Sequence, residues 1–473
     1  MAETGLLELA TRVREDLTRI AHPTKPWREP RIGLDGKPAL DVLIIGSGQS
    51  GVAIGFGLMR AQVRNLLVVD RAARGVEGPW RTYARMRTLR SPKEFTGPDL
   101  DIPSLTYSAW YEAQFGRAAW DALSTIPRES WADYLLWVRD VTGVSVRNEM
   151  AAVDIAPVGG LLAVTLRDAM GNATVRHARK VVLATGQEGT GPWWMPDFVA
   201  ALPAHLRATA DAPIDFAVLR GRRVAVLGAG ASAFDNAATA LEAGAMSVEL
   251  CCRRPTPQTI QPYRWLTFAG FLRHLSDLDD AWRWRFMCRI LGMREGFPQK
   301  TYDRCAQHGN FRLLTGCGWT DARALPGGGV AVTTTRGEIR ADFLICATGI
   351  DMDFASRPEL SRFAGNIATW ADRYVPPPEE HDDRLGRFPY LADDYAFTER
   401  VAGLTPWIGD VHVFAIASSM SFGASGSSIN AMTTAVPKLV DGITRSLFRA
   451  DVARHWAALN AYDVPQAVVR DVS

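Results

Sequence analysis

Two glycine-rich loops, each set between apolar runs of strand length, constrain this chain more than any other feature. In the first, Val42–Ile45 ends in Gly46-Ser47-Gly48-Gln49-Ser50-Gly51, the following residues read as a helix, and the apolar run Leu66–Val69 stops at Asp70, 24 residues beyond Gly46. This is strand, glycine loop, helix, strand and acid in register. Gly46 permits the tight turn, Gly48 lets the backbone approach a pyrophosphate, and Gly51 lets the helix pack on its sheet. The helix N-terminus, with Gln49 and Ser50 in its first turn, offers free N–H groups to phosphates. Asp70, followed by Arg71, is placed to accept hydrogen bonds from ribose hydroxyls.

The pattern recurs. Arg222–Leu227 leads into Gly228-Ala229-Gly230-Ala231-Ser232-Ala233, a helix-like run follows to Ala243, and Val248–Cys252 ends in Arg253-Arg254, with Gly228 and Arg253 25 residues apart. Gly228, Gly230, Ala231 and Ser232 are the candidate binding residues, and Ala233 is a tolerated variant of the third glycine. An acid at the strand end repels a 2′-phosphate, whereas an arginine pairs with it. The first site therefore suits FAD and the second NADPH, with a solvated basic turn as the alternative reading of Arg253-Arg254. Two more buried strands, Val181–Leu183 and Phe343–Cys346, run into Ala-Thr-Gly, giving Thr185-Gly186 and Thr348-Gly349. Small residues at a strand's C-terminal end permit close approach where open α/β sheets bind ligands.

The expected fold is α/β: two Rossmann-like dinucleotide-binding domains, the FAD domain discontinuous, with helical insertions. The expected division is an N-terminal extension at 1–40, FAD-domain segments at 41–188 and 340–473, and an NADPH domain at 189–339 with a helical insertion near 264–296. A chain of 473 residues, 47% hydrophobic and 22% charged, has room for these units. With 53 basic and 51 acidic residues the net charge is +2, which gives no support to a nucleic-acid partner. The first 40 residues lack the plan of a signal peptide, Leu6–Ile20 reads as an amphipathic helix, and no run is long enough to span a bilayer. Six cysteines without a C-x-x-C pair argue against a disulfide framework, a redox pair or a zinc site, so the cytoplasm is the expected location.

On these residues the chain resembles the two-dinucleotide-binding-domain flavoproteins, and within them the NADPH-dependent monooxygenases: flavin-containing monooxygenases, Baeyer–Villiger monooxygenases and amine N-hydroxylases. The resemblance runs from about Asp41 to Phe448 and adds Gly78-Pro79-Trp80, which in the family lies along the FAD, and Met150, whose counterpart meets the adenine through its backbone. It implies an enzyme that uses FAD, NADPH and O2 to oxygenate a small-molecule substrate. The chain departs from the family in two places. The segment Phe198–His205 lacks the glycine of the Baeyer–Villiger pattern and carries its histidine one place late. No asparagine follows Tyr83, where Arg90 or Lys93 takes the place facing the flavin. These departures favour oxygen transfer to nitrogen or sulfur over Baeyer–Villiger insertion. Arg90 and Gln187, the latter in the family's position toward the nicotinamide, are the catalytic candidates.

The aromatic segment 92–137, with Trp110, Tyr111, Trp120 and Trp131, is the expected wall of a substrate channel. The aromatic insertion 264–296 reads as a substrate cover, a peripheral membrane contact, or a helical hairpin packed on the NADPH domain. The small polar run 418–428 opens a helix whose N–H groups aim at the flavin. No metal cluster, P-loop lysine or Ser-His-Asp arrangement is visible, so the hard chemistry falls to the flavin. Two rival readings are a flavin reductase without oxygen transfer and a non-catalytic cofactor-binding sensor. Homo-oligomerisation is open.

Overall fold

The computed structural model describes residues 2–20, 23–95, 97–426 and 428–468. Residue 427 of the small polar run and residues 469–473 of the expected last segment lie outside them. The chain opens with helix α1 (Ala2–Arg19), which buries Leu9 and Val13 in the core of the first unit. The first sheet follows: β1 (Leu40–Ile45), β2 (Leu66–Val69) after helix α2 (Gln49–Arg60), then β3 (Val146–Arg147), β4 (Met150–Val158), β5 (Leu161–Asp168) and β6 (Ala173–Gly186). Its order is β3-β2-β1-β6-β5-β4. The 14-residue β6 serves two purposes: its first half pairs antiparallel with β5 and its second half pairs parallel with β1.

The second sheet is wholly parallel. It takes β7 (Arg207–Thr209), β8 (Arg223–Leu227), β9 (Ser247–Cys252) and β10 (Phe311–Thr315), with helix α3 (Ala231–Glu242) after β8. Helix α4 (Asp280–Met293) belongs to the insertion between β9 and β10. An antiparallel meander, β11 (Trp319–Ala324), β12 (Val330–Thr334) and β13 (Gly337–Ala341), leads to β14 (Phe343–Cys346). The strand β14 pairs with β8 and β7, completing the order β10-β9-β8-β14-β7. The chain then returns, and β15 (Val411–Ala415) pairs with β6 before helix α5 (Met432–Ala450) closes the first unit.

This corrects the expected boundary at 340, because the second Ala-Thr-Gly strand lies in the second sheet. The repeat arises because each glycine loop needs the same neighbour. A Cβ on Gly46 would stand 2.4 Å from the Ala184 carbonyl oxygen, and one on Gly228 2.4 Å from that of Ala347. Each sheet therefore ends a strand in alanine beside its own loop. The two chain crossings between the units run side by side: Trp194 N donates to Gly349 O at 2.8 Å, Asp351 N to Pro192 O at 2.9 Å and Asp353 N to Thr190 O at 2.9 Å. Thr348 and Gly349 thus belong to this paired hinge.

The aromatic segment is also different from expectation. Trp110, Trp120 and Trp131 are buried and pack round Tyr107 and Tyr134, so they are core, and Tyr111 is partly buried against them. Side-chain burial of this size outweighs any channel the spacing alone suggested.

The two ends of the first unit are joined at Asp451. Its carboxylate, wholly shielded from solvent, accepts from Arg179 at 2.8 Å and from Arg31 at 2.6 Å. Burial alone would raise this carboxyl, but the two arginines outweigh it and hold it below the usual carboxylate range. With the folded value depressed, its stabilisation is complete above the ordinary value of 3.8 and is lost as pH falls through the folded one. Asp451→Ala removes the close partner of the buried Arg179, which keeps only Asp41 at 3.7 Å, and of the partly exposed Arg31, and should lower the unfolding free energy at neutral pH by about 3 kcal/mol. Denaturant titrations across pH should also show a shallower acid loss in the variant than in the parent; parallel curves would remove Asp451 from the acid response.

Candidate active site

The first loop is built as its glycines require. Gly46 has φ +102°, and a Cβ on Gly51 would stand 1.8 Å from the Gly46 carbonyl oxygen, so helix α2 can begin only with glycine there. Gly48 is different: a Cβ on it would meet only the Gly78 Cα, at 4.0 Å. The space in front of Gly48 is a cradle between two glycines, bordered by Ser47, Glu77, Trp80 and Arg139. Trp80 is buried, and its indole N–H has no acceptor in the protein. These features fit the pyrophosphate of FAD, which would lie on Gly48 and Gly78 with the N-terminus of α2 facing it.

Asp70 ends β2 and accepts from Ser47 N at 2.7 Å and Ala72 N at 2.8 Å. These bonds fix its carboxylate beside the Gly46-Ser47 turn. Met150 begins β4 with its N–H donating to Asp70 O at 2.8 Å, so its own N–H is engaged. Gln49 accepts from the Trp131 indole at 3.4 Å, and Ser50 is buried in α2. Arg71 pairs with Glu188, closing the near side of the first crossing. Gly186 has φ +65°, Thr185 packs on Gly189, and Gln187 is exposed at the start of that crossing. Tyr83 stacks edge-on to Trp193 at 5.9 Å, and burial with the nearby Asp211 pushes its hydroxyl up to about 12. It remains a proton donor at neutral pH.

The second loop repeats the design. Gly228 has φ +121°, and a Cβ on Gly230 would meet nothing within 4 Å, leaving an open cradle before α3 for a second pyrophosphate. Ala231 starts α3 and Ser232 is exposed beside it. At the end of β9, Arg253 is exposed, while Arg254 donates to Met293 O and Gly292 O, both at 3.0 Å. A third arginine, Arg294, joins them after α4. Burial, with Arg384, Arg254 and Arg253 close by, pushes it down to about 10. Several guanidiniums crowded together call for an anion, and a 2′-phosphate meets that need. Sequence spacing missed Arg294 because it lies 40 residues beyond Arg254, on the insertion.

Arg90 does not stand free. It crosses to the second unit and pairs with Asp235 on α3 at 2.8 Å. Asp235 is almost fully buried and also receives Arg304 at 3.1 Å; Arg304 holds Glu242 at 2.9 Å, and Arg87 reaches the same Glu242 at 2.9 Å. Burial raises the Asp235 carboxyl despite the two arginines. Asp235 was legible in principle, as a lone acid on the buried face of an alanine-rich helix. Lys93 lies over the Trp120 ring, 4.4 Å from its centre, and donates to Trp120 O, so it too is engaged. His205 is exposed on a short turn.

The insertion packs on the first unit. Leu266, Phe271, Leu275, Trp284 and Met287 share a core with Trp370, Phe388 and Met420. Thr267 accepts from Asn430 Nδ2 at 3.3 Å, and the Asn430 carbonyl oxygen is buried without a donor. This seat, on the first unit beside the loop that enters α5, differs from the expected hairpin packed on the NADPH domain. Its outer face exposes Trp265, Phe268 and Trp282. Among the described residues no helix is long and apolar enough to cross a membrane, and no His/Cys/Asp/Glu group could hold a metal.

Comparison with known proteins agrees with this architecture. Residues 43–188 match the family described as FAD-NAD(P)-binding, and residues 117–263 match L-lysine 6-monooxygenase/L-ornithine 5-monooxygenase. The FAD-dependent urate hydroxylase of Xanthomonas campestris pv. campestris is 39% identical over 465 residues, spanning 98% of each chain. Among solved structures, ornithine hydroxylase from Pseudomonas aeruginosa superposes with a TM-score of 0.65 at 16% identity, covering 87% of this chain and 99% of that one. The ornithine N-hydroxylase of Kutzneria sp. 744 gives 0.66 at 16%, covering 86% and 100%. L-lysine 6-monooxygenase from Pseudomonas syringae gives 0.65 at 19%, covering 86% and 99%. At these identities the structural likeness is one of fold.

The arginine cluster yields a prediction. Loss of a charge-assisted bond to a partly exposed phosphate costs roughly 1.5–3 kcal/mol, on the order of tenfold to a hundredfold in affinity. Arg253→Ala and Arg294→Ala should each weaken NADPH by that factor and leave NADH unchanged in equilibrium titrations of flavin-loaded protein. Equal losses for the two coenzymes would separate the cluster from the 2′-phosphate.

Proposed function

The chain belongs to the FAD-dependent monooxygenases built on two dinucleotide-binding units, and from that membership we propose that it hydroxylates urate or a similarly flat, anionic purine with NADPH and O2. The observation that carries this reading is the full-length identity with the urate hydroxylase. The expected transfer to nitrogen or sulfur matches the lysine and ornithine monooxygenase family over residues 117–263, whereas the urate hydroxylase directs attention to a purine ring. Both are oxygen transfers without Baeyer–Villiger insertion, and the exposed His205 agrees with that choice.

FAD held at the first loop would supply the redox chemistry, between the coenzyme as reductant and O2 as the oxygen source. The protein's own residues do the rest. Gly48 and Gly78 would admit the FAD pyrophosphate, and Asp70 would hold its ribose. Gly230, Ala231 and Ser232 take the coenzyme pyrophosphate, while Arg253 with Arg254 and Arg294 retains its 2′-phosphate through turnover. The insertion, seated on the first unit by Leu266, Phe271 and Trp284, excludes water from the flavin end. Gln187 is the candidate polar group on the nicotinamide side, and Arg90 the candidate toward the flavin. Arg90 is committed to Asp235 at 2.8 Å, so its part is to hold the units in register.

The test follows urate, NADPH and isotopically labelled O2 together. The proposal expects one urate consumed per NADPH oxidised and one labelled oxygen atom in the product. Oxidation of NADPH with stoichiometric hydrogen peroxide, and every purine left untouched, would leave a reductase in its place.

A further inference from the structure

On the side of α3 remote from its glycine loop, the two units face each other across an open cleft of about 500 Å³. That volume lies within the roughly 300–1,000 Å³ typical of small-ligand sites. The wall from the first unit carries Arg85, Arg87 and Arg128; the wall from the second carries Ile214, Phe216 and Arg304. The opposing charges are unevenly spent. Glu242 is taken by Arg304 at 2.9 Å and by Arg87 at 2.9 Å. Among the described residues Arg128 pairs with Glu129 alone, itself largely exposed, at 3.2 Å, and its other terminal nitrogen donates to Ala84 O. Arg85 forms no ion pair among the described residues; its terminal nitrogens go to the Thr82 and Ala212 carbonyls, at 2.7 and 3.0 Å.

Two donors are left over. The Nε atoms of Arg85 and Arg128 are both buried and neither has an acceptor. These Nε–H groups are shielded by protein, so a ligand in the cleft would meet the charge of the two guanidiniums that border it rather than these donors. Burial and the neighbouring Arg128 also depress Arg85, as expected for a cation without a counter-charge. The Arg85 guanidinium lies 5.3 Å from the centre of the Phe216 ring, which joins the cationic wall to an apolar, aromatic one.

We propose that this cleft is a second ligand site, separate from both nucleotide loops, for a small flat aromatic oxyanion whose charged end meets Arg85 and Arg128 and whose ring lies on Phe216. It is distinct from the coenzyme site because Thr239 and Glu242 border it at the far end of α3, about 16 Å along the axis from the loop. A ligand touching both walls bridges the units and resists their separation. A mononucleotide and a simple aromatic carboxylate share this chemistry.

The experiment is equilibrium binding to the FAD-loaded full chain with NADP⁺ saturating, using AMP, benzoate and inorganic phosphate as separate probes. The proposal expects one saturable site per chain for AMP or benzoate and weaker binding of inorganic phosphate, which lacks a ring; whichever ring-bearing probe binds tighter identifies the source. Arg128→Gln removes the charge from the cleft wall, and Phe216→Ala removes the ring surface; each should weaken the ring-bearing probe about tenfold or more. Arg253→Ala, at the coenzyme loop, should leave probe affinity unchanged. The proposal is overturned by any of three results: no saturable binding of either ring-bearing probe, displacement of the probe by NADP⁺, or parental affinity in Phe216→Ala.

Discussion

A single buried carboxylate, Asp235, sets how the two halves of this molecule meet. It sits one turn into α3, with that helix's N-terminus facing the second glycine loop, and it takes Arg304 from its own unit and Arg90 from the other. An unpaired carboxylate at this depth would be costly, and pairing with two guanidiniums is the physical remedy. The same contact aligns the coenzyme loop with the flavin unit. If the units part, Arg90 leaves but Arg304 stays, so Asp235 is never stripped of its counter-charge. The clamp is therefore releasable, which suits an enzyme that must admit one nucleotide and retain another.

Around this contact the other devices are complementary. The paired crossings at 190–194 and 349–353 restrict the units to a narrow hinge, and Gly191 is needed there because a Cβ would stand 2.1 Å from Asp351 O. The insertion reaches from the second unit onto the first and buries Trp284 against Trp370. Clamp, hinge and cover all join the same two bodies, each of which carries one cradle, at Gly48 and at Gly230. An oxygenating flavoprotein needs this arrangement to bring hydride donor and flavin together while keeping water out.

Local chemistry was legible in the sequence wherever a residue answers to its immediate neighbours. Gly46, Gly51 and Gly228 are required by backbone atoms a few ångströms away, so strand-loop-helix spacing reveals them. The two sheets and the α/β class follow from the same runs. What depends on distant partners was not legible. The second Ala-Thr-Gly looks like the first, and only pairing with β8 assigns it to the second sheet. Arg90 reads as a flavin-facing cation because Asp235 lies 145 residues away. The tryptophans of 107–131 read as a channel wall until Tyr107 and Tyr134 are seen filling the space between them. The same limit hid Arg294.

The most direct measurement is anaerobic mixing of NADPH with the FAD-loaded protein, following flavin absorbance in the parent and in Asp235→Asn. The account predicts complete bleaching of the parent by one equivalent of NADPH. It predicts that the variant binds both nucleotides but is reduced on the order of tenfold to a hundredfold more slowly, because misalignment of about an ångström at a reacting pair has that effect. A parent whose flavin stays oxidised, or a variant reduced at the parental rate, would contradict it.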